Sequence, residues 1–277
     1  MCARRQRKNE HRRYNRRVLG NGVEVIGTDY NKELVATLNA GKTTFKEKGL
    51  DELWLIARRE GRLLELKDEL KTPVRIMPLD LLKKESFDEY SQQLFLDKPE
   101  VSYLVNCAGF GKMGSVAEVG IDATCDMIDL NAKALAVITQ LTVPFMDKGS
   151  HIIELCSSSA FYPLPFFDCY ASTKAFVQHY SYALALELKT KKISVTQVSP
   201  GWVATEFFDH TDEESAKHAP KKYKPLYTAK DVVKRAVADA DKGKKFSVFG
   251  SFVKFHRFAA RFFPRWFMNA QWRGRLK

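Results

Sequence analysis

The chain has 277 residues, of which 45% are hydrophobic and 28% charged, and its formal net charge is +12. This balance predicts one large globular domain and excludes an intrinsically disordered chain. No apolar run approaches the roughly 18–20 residues of a transmembrane segment, and residues 1–17 are too polar to predict a secretory signal.

Positive charge is concentrated at the start of the chain. Residues 1–17 hold eight Lys or Arg residues and one Glu, a net charge of +7, so the other 260 residues carry only +5. A basic arm of this kind could bind nucleic acid or an anionic surface, or it could be a solvated tail. We favour the solvated tail and predict no nucleic-acid partner.

From about residue 50, short apolar runs alternate with amphipathic stretches, a pattern typical of βαβ units around a parallel sheet. Strands are predicted at 53–57, 74–80, 101–106, 151–156, 194–199 and 246–249, and helices at 60–71, 86–96, 122–146 and 171–189. The pattern predicts a single α/β domain over residues 50–250, with a Rossmann-like, doubly wound parallel sheet. Residues 1–49 form an atypical basic segment in which the first strand and a glycine loop are doubtful.

Residues 251–277 predict two amphipathic helices. Aromatic residues recur there at helical spacing with basic residues between them, and Pro264 is expected to divide the segment. Such a face could lie on a membrane or a partner. It could equally cover the cleft of the domain or form a dimer contact.

The pair Tyr170 and Lys174 carries the clearest chemical signal. The two residues are four apart on a predicted helix, so their side chains project from one face. A nearby ammonium favours the phenolate and lowers the phenol pKa from about 10, which makes Tyr170 a candidate general acid or base. Ser157 ends a predicted strand thirteen residues earlier, and its hydroxyl could hold the same substrate oxygen.

Taken together with its surroundings, this arrangement resembles the short-chain dehydrogenase/reductase family. The Tyr-x-x-x-Lys pair with its upstream Ser resembles the family's catalytic motif, and four further segments match other family motifs in the correct order. They are Asp80 after the third strand, Asn106-Cys-Ala-Gly109, Asp129-Leu-Asn131-Ala, and Pro200-Gly201 with Thr205. Cys107 stands where the family usually has a second Asn. The resemblance runs from Leu53 to Phe208.

The resemblance implies a role for each catalytic residue. Tyr170 would donate and accept the proton, and Lys174 would lower the pKa of Tyr170 and bind the nicotinamide ribose. Ser157 would orient the carbonyl, and Asn131 would anchor a water molecule in a proton relay to Lys174. The alternatives to Ser157 are Ser158 and Ser159. Asn131 could also be a satisfied polar residue of its helix.

The resemblance also implies cofactor contacts. It places Asp80 near the adenine, Asn106, Ala108 and Gly109 at the ribose, and Pro200, Gly201 and Thr205 at the carboxamide. Asp80 and Asn106 could instead simply cap turns. Arg58 follows the second strand, where arginine suits a 2′-phosphate and an acid would suit a free hydroxyl, so NADP(H) is favoured over NAD(H). The alternative is that Arg58 and Arg59 are solvated residues at a helix start.

Aromatic residues flank the catalytic motif and suggest the substrate class. They are Phe161, Tyr162, Phe166 and Phe167, accompanied by Leu164, before Tyr170, and Trp202, Phe207 and Phe208 after the Pro-Gly turn. We expect an apolar ketone or secondary alcohol, steroid-like or acyl-like, although core packing could explain several of these rings.

One motif that the resemblance requires, Thr-Gly-x-x-x-Gly-x-Gly after the first strand, is missing. Its glycines let backbone N–H groups approach a pyrophosphate. The genetic code permits residues Asn15 to Gly22, read one nucleotide later, to spell Thr-Gly-Ala-Ser-Ser-Gly-Met-Gly, and residues Asn9 to Tyr14 to spell Met-Asn-Ile-Ala-Val-Ile. We hypothesise that the first few dozen residues are a frame-displaced translation of the family's first strand and glycine loop.

The sequence therefore predicts an NADP(H)-dependent oxidoreductase that interconverts a ketone and a secondary alcohol. A catalytically silent relative without cofactor affinity is the second hypothesis, and a nucleic-acid or membrane-binding protein is the third. The five cysteines form no Cys-x-x-Cys pair, which favours reduced thiols, a cytoplasmic location and no metal site. The resemblance further implies a homo-oligomer formed through the two long helices.

Overall fold

A computed structural model describes residues 23–27, 50–205 and 217–276. In this part of the chain, seven parallel strands form one sheet in the order β3-β2-β1-β4-β5-β6-β9, and two short strands, β7 and β8, pair separately. The strands are β1 Val23–Gly27, β2 Leu50–Ile56, β3 Val74–Met77, β4 Val101–Asn106, β5 His151–Leu155, β6 Ser194–Val198, β7 Trp202–Ala204, β8 Leu226–Thr228 and β9 Phe246–Ser247. The predicted doubly wound α/β domain is confirmed.

Helices cover both faces of the sheet. They are α1 Glu60–Glu69, α2 Lys84–Asp97, α3 Ile121–Ile128, α4 Leu135–Thr142, α5 Asp168–Glu187, α6 Ala229–Ala240, α7 Ser251–Phe262 and α8 Arg265–Arg273. A π-helical turn, Asp129–Ala134, joins α3 to α4, and short 3₁₀ helices occupy Val143–Phe145, Ser158–Phe161 and Leu188–Lys191. Within the described ranges, no helix combines the length and hydrophobicity needed to span a bilayer.

The first strand corrects the expectation drawn from residues 1–49. Val23–Gly27 runs parallel between β2 and β4, where Val25 lies opposite both Leu53 and Tyr103. Five residues are too few to show a strand by periodicity alone. The segment is a strand because it pairs with β2 on one side and β4 on the other. The basic arm 1–17, the segment 9–22 of the frame hypothesis and the segment 28–49 after β1 lie outside the described residues.

Alternation along the strands builds a separate core on each face of the sheet, because successive side chains point to opposite faces. Trp54 and Ile56 of β2 belong to one core, and Leu53 and Leu55 belong to the other. The first core includes Tyr90, Leu104, Ile138, Ile152 and Leu184 from α2, β4, α4, β5 and α5. The second includes Leu63, Val105, Ile153, Val233 and Val237 from α1, β4, β5 and α6.

Most predicted elements differ from the structure by a few residues at their ends, and two differ in a way that has a local cause. The strand expected to reach residue 80 ends at Met77, and the helix expected over 122–146 contains the π-helical turn and gives way to a 3₁₀ helix at Val143. Pro144 explains the second difference, since proline has no N–H to continue an α-helix. Pro264 divides α7 from α8 as predicted.

Candidate active site

A cleft of about 830 Å³ opens at the carboxyl ends of the strands, the edge at which doubly wound sheets bind ligands. Ten of the predicted site residues line it, namely Arg58, Asp80, Ala108, Gly109, Ser157, Tyr170, Lys174, Pro200, Gly201 and Thr205. Asn106 and Asn131 lie behind the wall of the cleft, where they are 2% and 0% exposed. The fold therefore brings segments separated by more than a hundred residues to one site.

Tyr170 and Lys174 lie in the first two turns of α5, and the helix presents both to the cleft. Their side chains are 7% and 3% exposed. The Lys174 Nζ donates a hydrogen bond of 2.8 Å to the carbonyl oxygen of Leu155 at the end of β5 and lies 5.7 Å from the centre of the Tyr170 ring. The hydrogen bond to β5 thus holds the Lys174 ammonium near the Tyr170 ring.

Burial raises the pKa of Tyr170 above its ordinary value, and a hydrogen bond with Ser157 acts in the opposite direction. This differs from the expectation that Lys174 lowers the pKa of Tyr170. The physical reason is that the phenol is almost fully removed from water, which disfavours the phenolate, while Lys174 Nζ is directed at the Leu155 carbonyl. Tyr170 is therefore held as a phenol, the form that can donate a proton.

Ser157 lies two residues after the end of β5 and caps the N-terminus of the 3₁₀ helix Ser158–Phe161. Its hydroxyl oxygen accepts a hydrogen bond of 3.2 Å from the backbone N–H of Ser159. The backbone N–H of Ser158 donates to the carbonyl oxygen of Pro200, at 2.9 Å. Ser157 is the serine that hydrogen-bonds with Tyr170, while Ser158 and Ser159 also line the cleft.

Asn131 lies in the π-helical turn, a type of distortion that is frequent at functional sites. Its Oδ1 accepts from the Phe110 N–H at 3.0 Å, and its Nδ2 donates to the Phe110 carbonyl at 2.8 Å and to Thr173 Oγ1 at 3.1 Å. A Cβ at Gly109 would lie 2.7 Å from Asn131 Oδ1 and 3.4 Å from Lys174 Nζ. Asn131 thus ties the segment after β4 to α5, and only glycine fits between them.

Three of the predicted cofactor residues, Arg58, Asp80 and Thr205, also line the cleft. Arg58 is exposed at its margin, and Thr205 is exposed where β7 ends. Asp80 lines the cleft and also caps a turn, since its Oδ1 accepts from the Leu82 N–H at 3.2 Å. Both roles considered for Asp80 are therefore compatible with its position.

Aromatic and apolar side chains surround the catalytic phenol. The ring of Phe167 stacks on Tyr170 with centroids 4.4 Å apart. Tyr162, Leu164 and Trp202 also line the cleft, whereas Phe161 and Phe166 pack into the adjoining core. Phe207 and Phe208 lie outside the described residues.

The C-terminal helices supply cleft residues that sequence reasoning did not single out. The cleft is lined by His256 of α7, Trp272 of α8 and Arg275, which follows α8. Trp272 Nε1 donates a hydrogen bond to the Pro165 carbonyl at 2.9 Å. A Cβ at Gly201 would lie 2.8 Å from Val253 Cγ2, so α7 packs directly against the Pro-Gly turn. One face of the C-terminal segment therefore covers the cleft.

The short chain dehydrogenase family model matches residues 40–216. The chain belongs to this family. An uncharacterised oxidoreductase of Staphylococcus epidermidis is 31% identical over 160 residues, which cover 57% of this chain and 70% of that protein. The NADP-dependent 3-hydroxy acid dehydrogenase YdfG of Escherichia coli is 34% identical over 154 residues, 54% of this chain and 62% of that protein. The chain is accordingly a short-chain dehydrogenase/reductase, a family of oxidoreductases.

Solved structures of the family share the fold. The short-chain dehydrogenase from Sphingobium yanoikuyae in complex with NADPH has a TM-score of 0.69 at 21% identity, covering 87% of this chain and 92% of that one. The short-chain dehydrogenase/reductase from Serratia marcescens has a TM-score of 0.66 at 20% identity, covering 83% and 96%. The similarity extends over nearly the whole of each solved chain.

This short-chain dehydrogenase/reductase carries a buried carboxyl group that sequence reasoning missed. Glu154 of β5 is 0% exposed, and its Oε1 accepts from Thr139 Oγ1 at 3.1 Å and Asn106 Nδ2 at 3.3 Å. Among the described residues, its Oε2 has no hydrogen-bond partner. Asn106 is thus directed into the core, which differs from its predicted place at the ribose. The sequence does carry a signal for this buried carboxyl group, namely a single acidic residue inside the apolar run of β5.

Burial raises the pKa of Glu154 to about 8, against the opposing effects of Thr139, Asn106 and the charge of Lys174. The folded protein therefore keeps this proton up to about pH 8, whereas the unfolded chain loses it near the ordinary value of 4.5. Between these values unfolding releases a proton, so the free energy of unfolding falls as the pH rises.

Replacing Glu154 by Gln should remove this pH dependence. We expect E154Q and the unchanged protein to melt at similar temperatures at pH 5, and E154Q to be more stable by roughly 1–3 kcal/mol at pH 8. Thermal unfolding followed by circular dichroism from pH 5 to 9 measures the difference. The matched control is E89Q on α2, where Glu89 is exposed. A stability difference between E154Q and the unchanged protein that stays constant with pH would contradict the assignment.

Proposed function

We propose that this protein is an NADP(H)-dependent oxidoreductase that interconverts an apolar ketone and its secondary alcohol, with Tyr170 as the acid and base. The observation that carries the proposal is the buried Tyr170 phenol, hydrogen-bonded to Ser157 on the cleft wall and backed by Lys174. This arrangement offers two hydroxyl groups to one substrate oxygen and a fixed positive charge behind the proton donor.

The cleft residues fit a nicotinamide dinucleotide. The cleft opens where the strand order reverses, between β1 and β4, and a side chain at Gly109 would meet Asn131 and Lys174. Arg58 at the margin would bind the 2′-phosphate of NADP(H) by a charge-assisted contact. The NADP-dependent dehydrogenase and the NADPH complex among the similar proteins support the same cofactor. When bound, this group supplies or accepts the hydride.

In the reducing direction, Ser157 and Tyr170 donate hydrogen bonds to the substrate carbonyl oxygen and polarise it. As the carbonyl carbon gains the hydride, the Tyr170 proton moves to the oxygen and yields the alcohol. The Lys174 ammonium, already fixed by the Leu155 carbonyl, then stabilises the phenolate until a proton returns from solvent. In this scheme Asn131 holds the segment after β4 against α5. Its side chain makes three hydrogen bonds, to Phe110 and Thr173, and another residue type would lose some of them.

The substrate end of the cleft favours an apolar molecule, steroid-like or acyl-like. Phe167, Tyr162, Leu164 and Trp202 present apolar surface near the phenol. Binding there removes the substrate carbonyl from water, which strengthens its hydrogen bonds to Ser157 and Tyr170.

We also propose that the protein acts in the cytoplasm as a homo-oligomer. Cys125, Cys156 and Cys169 are thiols rather than disulfide partners, which suits a reducing compartment. On α5, Phe176, Tyr182 and Leu186 are each more than two-fifths exposed. Apolar side chains in this arrangement suit a contact between the long helices of two copies.

Replacing Tyr170 by Phe removes only the hydroxyl that donates the proton. We expect turnover with NADPH and an aryl or long-chain alkyl ketone to fall by about 10²–10⁴-fold, while NADPH still protects Y170F against thermal unfolding. The matched control is Y182F, which alters a half-exposed tyrosine of the same helix and keeps its ring. Equal turnover by Y170F and Y182F would refute the role of Tyr170, and no turnover by the unchanged protein would favour a catalytically silent relative.

Arg58 determines the cofactor preference in this proposal. Replacing it by Ala should weaken NADPH binding by roughly 10–100-fold, the value of a hydrogen bond to a charged group, and leave NADH binding unchanged. Isothermal titration with each cofactor measures the two affinities. The control is R62A, which changes an arginine of α1 that does not line the cleft. An equal loss of affinity for NADPH and NADH in R58A would show that Arg58 does not bind the 2′-phosphate.

A further inference from the structure

The outer face of the two C-terminal helices is an exposed aromatic ridge. Phe255, Phe258 and Phe262 follow one another at spacings of three and four residues along α7, so they share one face. They are 62%, 58% and 64% exposed, and Trp266 at the start of α8 is 72% exposed. We call these four residues the aromatic ridge. Val253 and Ala259 of the same helix are buried.

The charge around the ridge has one sign. Residues 251–277 contain seven Lys or Arg residues and no Asp or Glu. Lys254, Arg261 and Arg265 are exposed beside the aromatic side chains. Exposed aromatic rings flanked by cations are the composition of helices that lie in the plane of a membrane surface.

We propose that the aromatic ridge and its flanking cations dock this protein on an anionic lipid bilayer. The rings of Phe255, Phe258, Phe262 and Trp266 enter the boundary between headgroups and acyl chains. The Lys and Arg side chains remain at the headgroups, where each gains attraction from the negative surface potential.

Charge decides between a bilayer and a second copy of this chain. A two-fold contact would place the same patch of each copy against the other. It would therefore bring the exposed Lys254, Arg261 and Arg265 of one copy towards the same cations of the other, without a neutralising carboxylate from this segment. An anionic bilayer instead neutralises the cations and covers the exposed rings at the same time.

The same helices connect the surface to the cleft. The inner side of α7 and α8 presents His256 and Trp272 to the cleft, while the outer side presents the ridge. A docked molecule would hold its cleft close to the lipid in which an apolar ketone dissolves. This consequence rests on the proposed function, whereas the docking itself does not.

Vesicle binding by the full chain tests the proposal. The probes are unilamellar vesicles of phosphatidylcholine alone and vesicles in which about 30% of the lipid is the anionic phosphatidylglycerol. We expect co-sedimentation with the anionic vesicles, reduced by added salt, and at least about tenfold weaker partitioning of F255S/F258S/F262S. The control F95S/L96S changes two equally exposed apolar residues of α2 and should bind like the unchanged protein.

Tryptophan fluorescence provides a second readout. Of the four tryptophans, Trp54 and Trp272 are buried, Trp202 is partly buried and only Trp266 is largely exposed. Anionic vesicles should shift the emission to shorter wavelength, brominated lipid should quench it, and W266F should lose both effects.

Three results would overturn the proposal. One is the absence of binding to anionic vesicles. Another is binding that persists in F255S/F258S/F262S, since the basic segment 1–17 would then carry it. The third is a concentration-dependent dimer that the triple variant abolishes while vesicle binding is unchanged, because the ridge would then be a contact between copies. Matching melting temperatures of the variants and the unchanged protein exclude misfolding as the cause.

Discussion

The hydrogen bond from the Lys174 ammonium to the Leu155 carbonyl is the contact on which the active site depends. It joins α5 to the end of β5, so the helix cannot turn or slide without breaking a charge-assisted bond in a buried place. Tyr170, one turn earlier, is thereby fixed beside Ser157. Gly109 and Asn131 complete the arrangement from the neighbouring strand and the π-helical turn, and no side chain larger than glycine's fits between them.

The catalytic group was predictable mainly because several motifs together resemble the short-chain dehydrogenase/reductase family. Tyr170 and Lys174 are four positions apart on a helix and therefore share a face, and strand ends in a parallel sheet share one edge, so the physical pattern is consistent with the positions that the resemblance implies for Ser157, Gly109 and Pro200. The alternation of apolar runs also predicted the sheet and most helices from residue 50 onward. The strands and helices follow from chain periodicity and need no knowledge of distant contacts.

Other features depend on contacts that periodicity does not encode. Val23–Gly27 is a strand because β2 and β4 pair with it on both sides, and the segment 28–49 after it lies outside the described residues. Glu154 is buried because Thr139 and Asn106 satisfy one of its oxygens from another helix and strand. The cleft residue Trp272 comes from a segment about a hundred residues away from Tyr170, held by its bond to Pro165.

The central claim is that this cleft holds NADP(H), although the sequence has no Thr-Gly-x-x-x-Gly-x-Gly motif. Isothermal titration of the full chain with NADPH tests it most directly, because it needs no knowledge of the substrate. The account predicts saturable binding of one NADPH per chain and a matching rise in melting temperature. No heat of binding and no change in melting temperature at millimolar NADPH would contradict it.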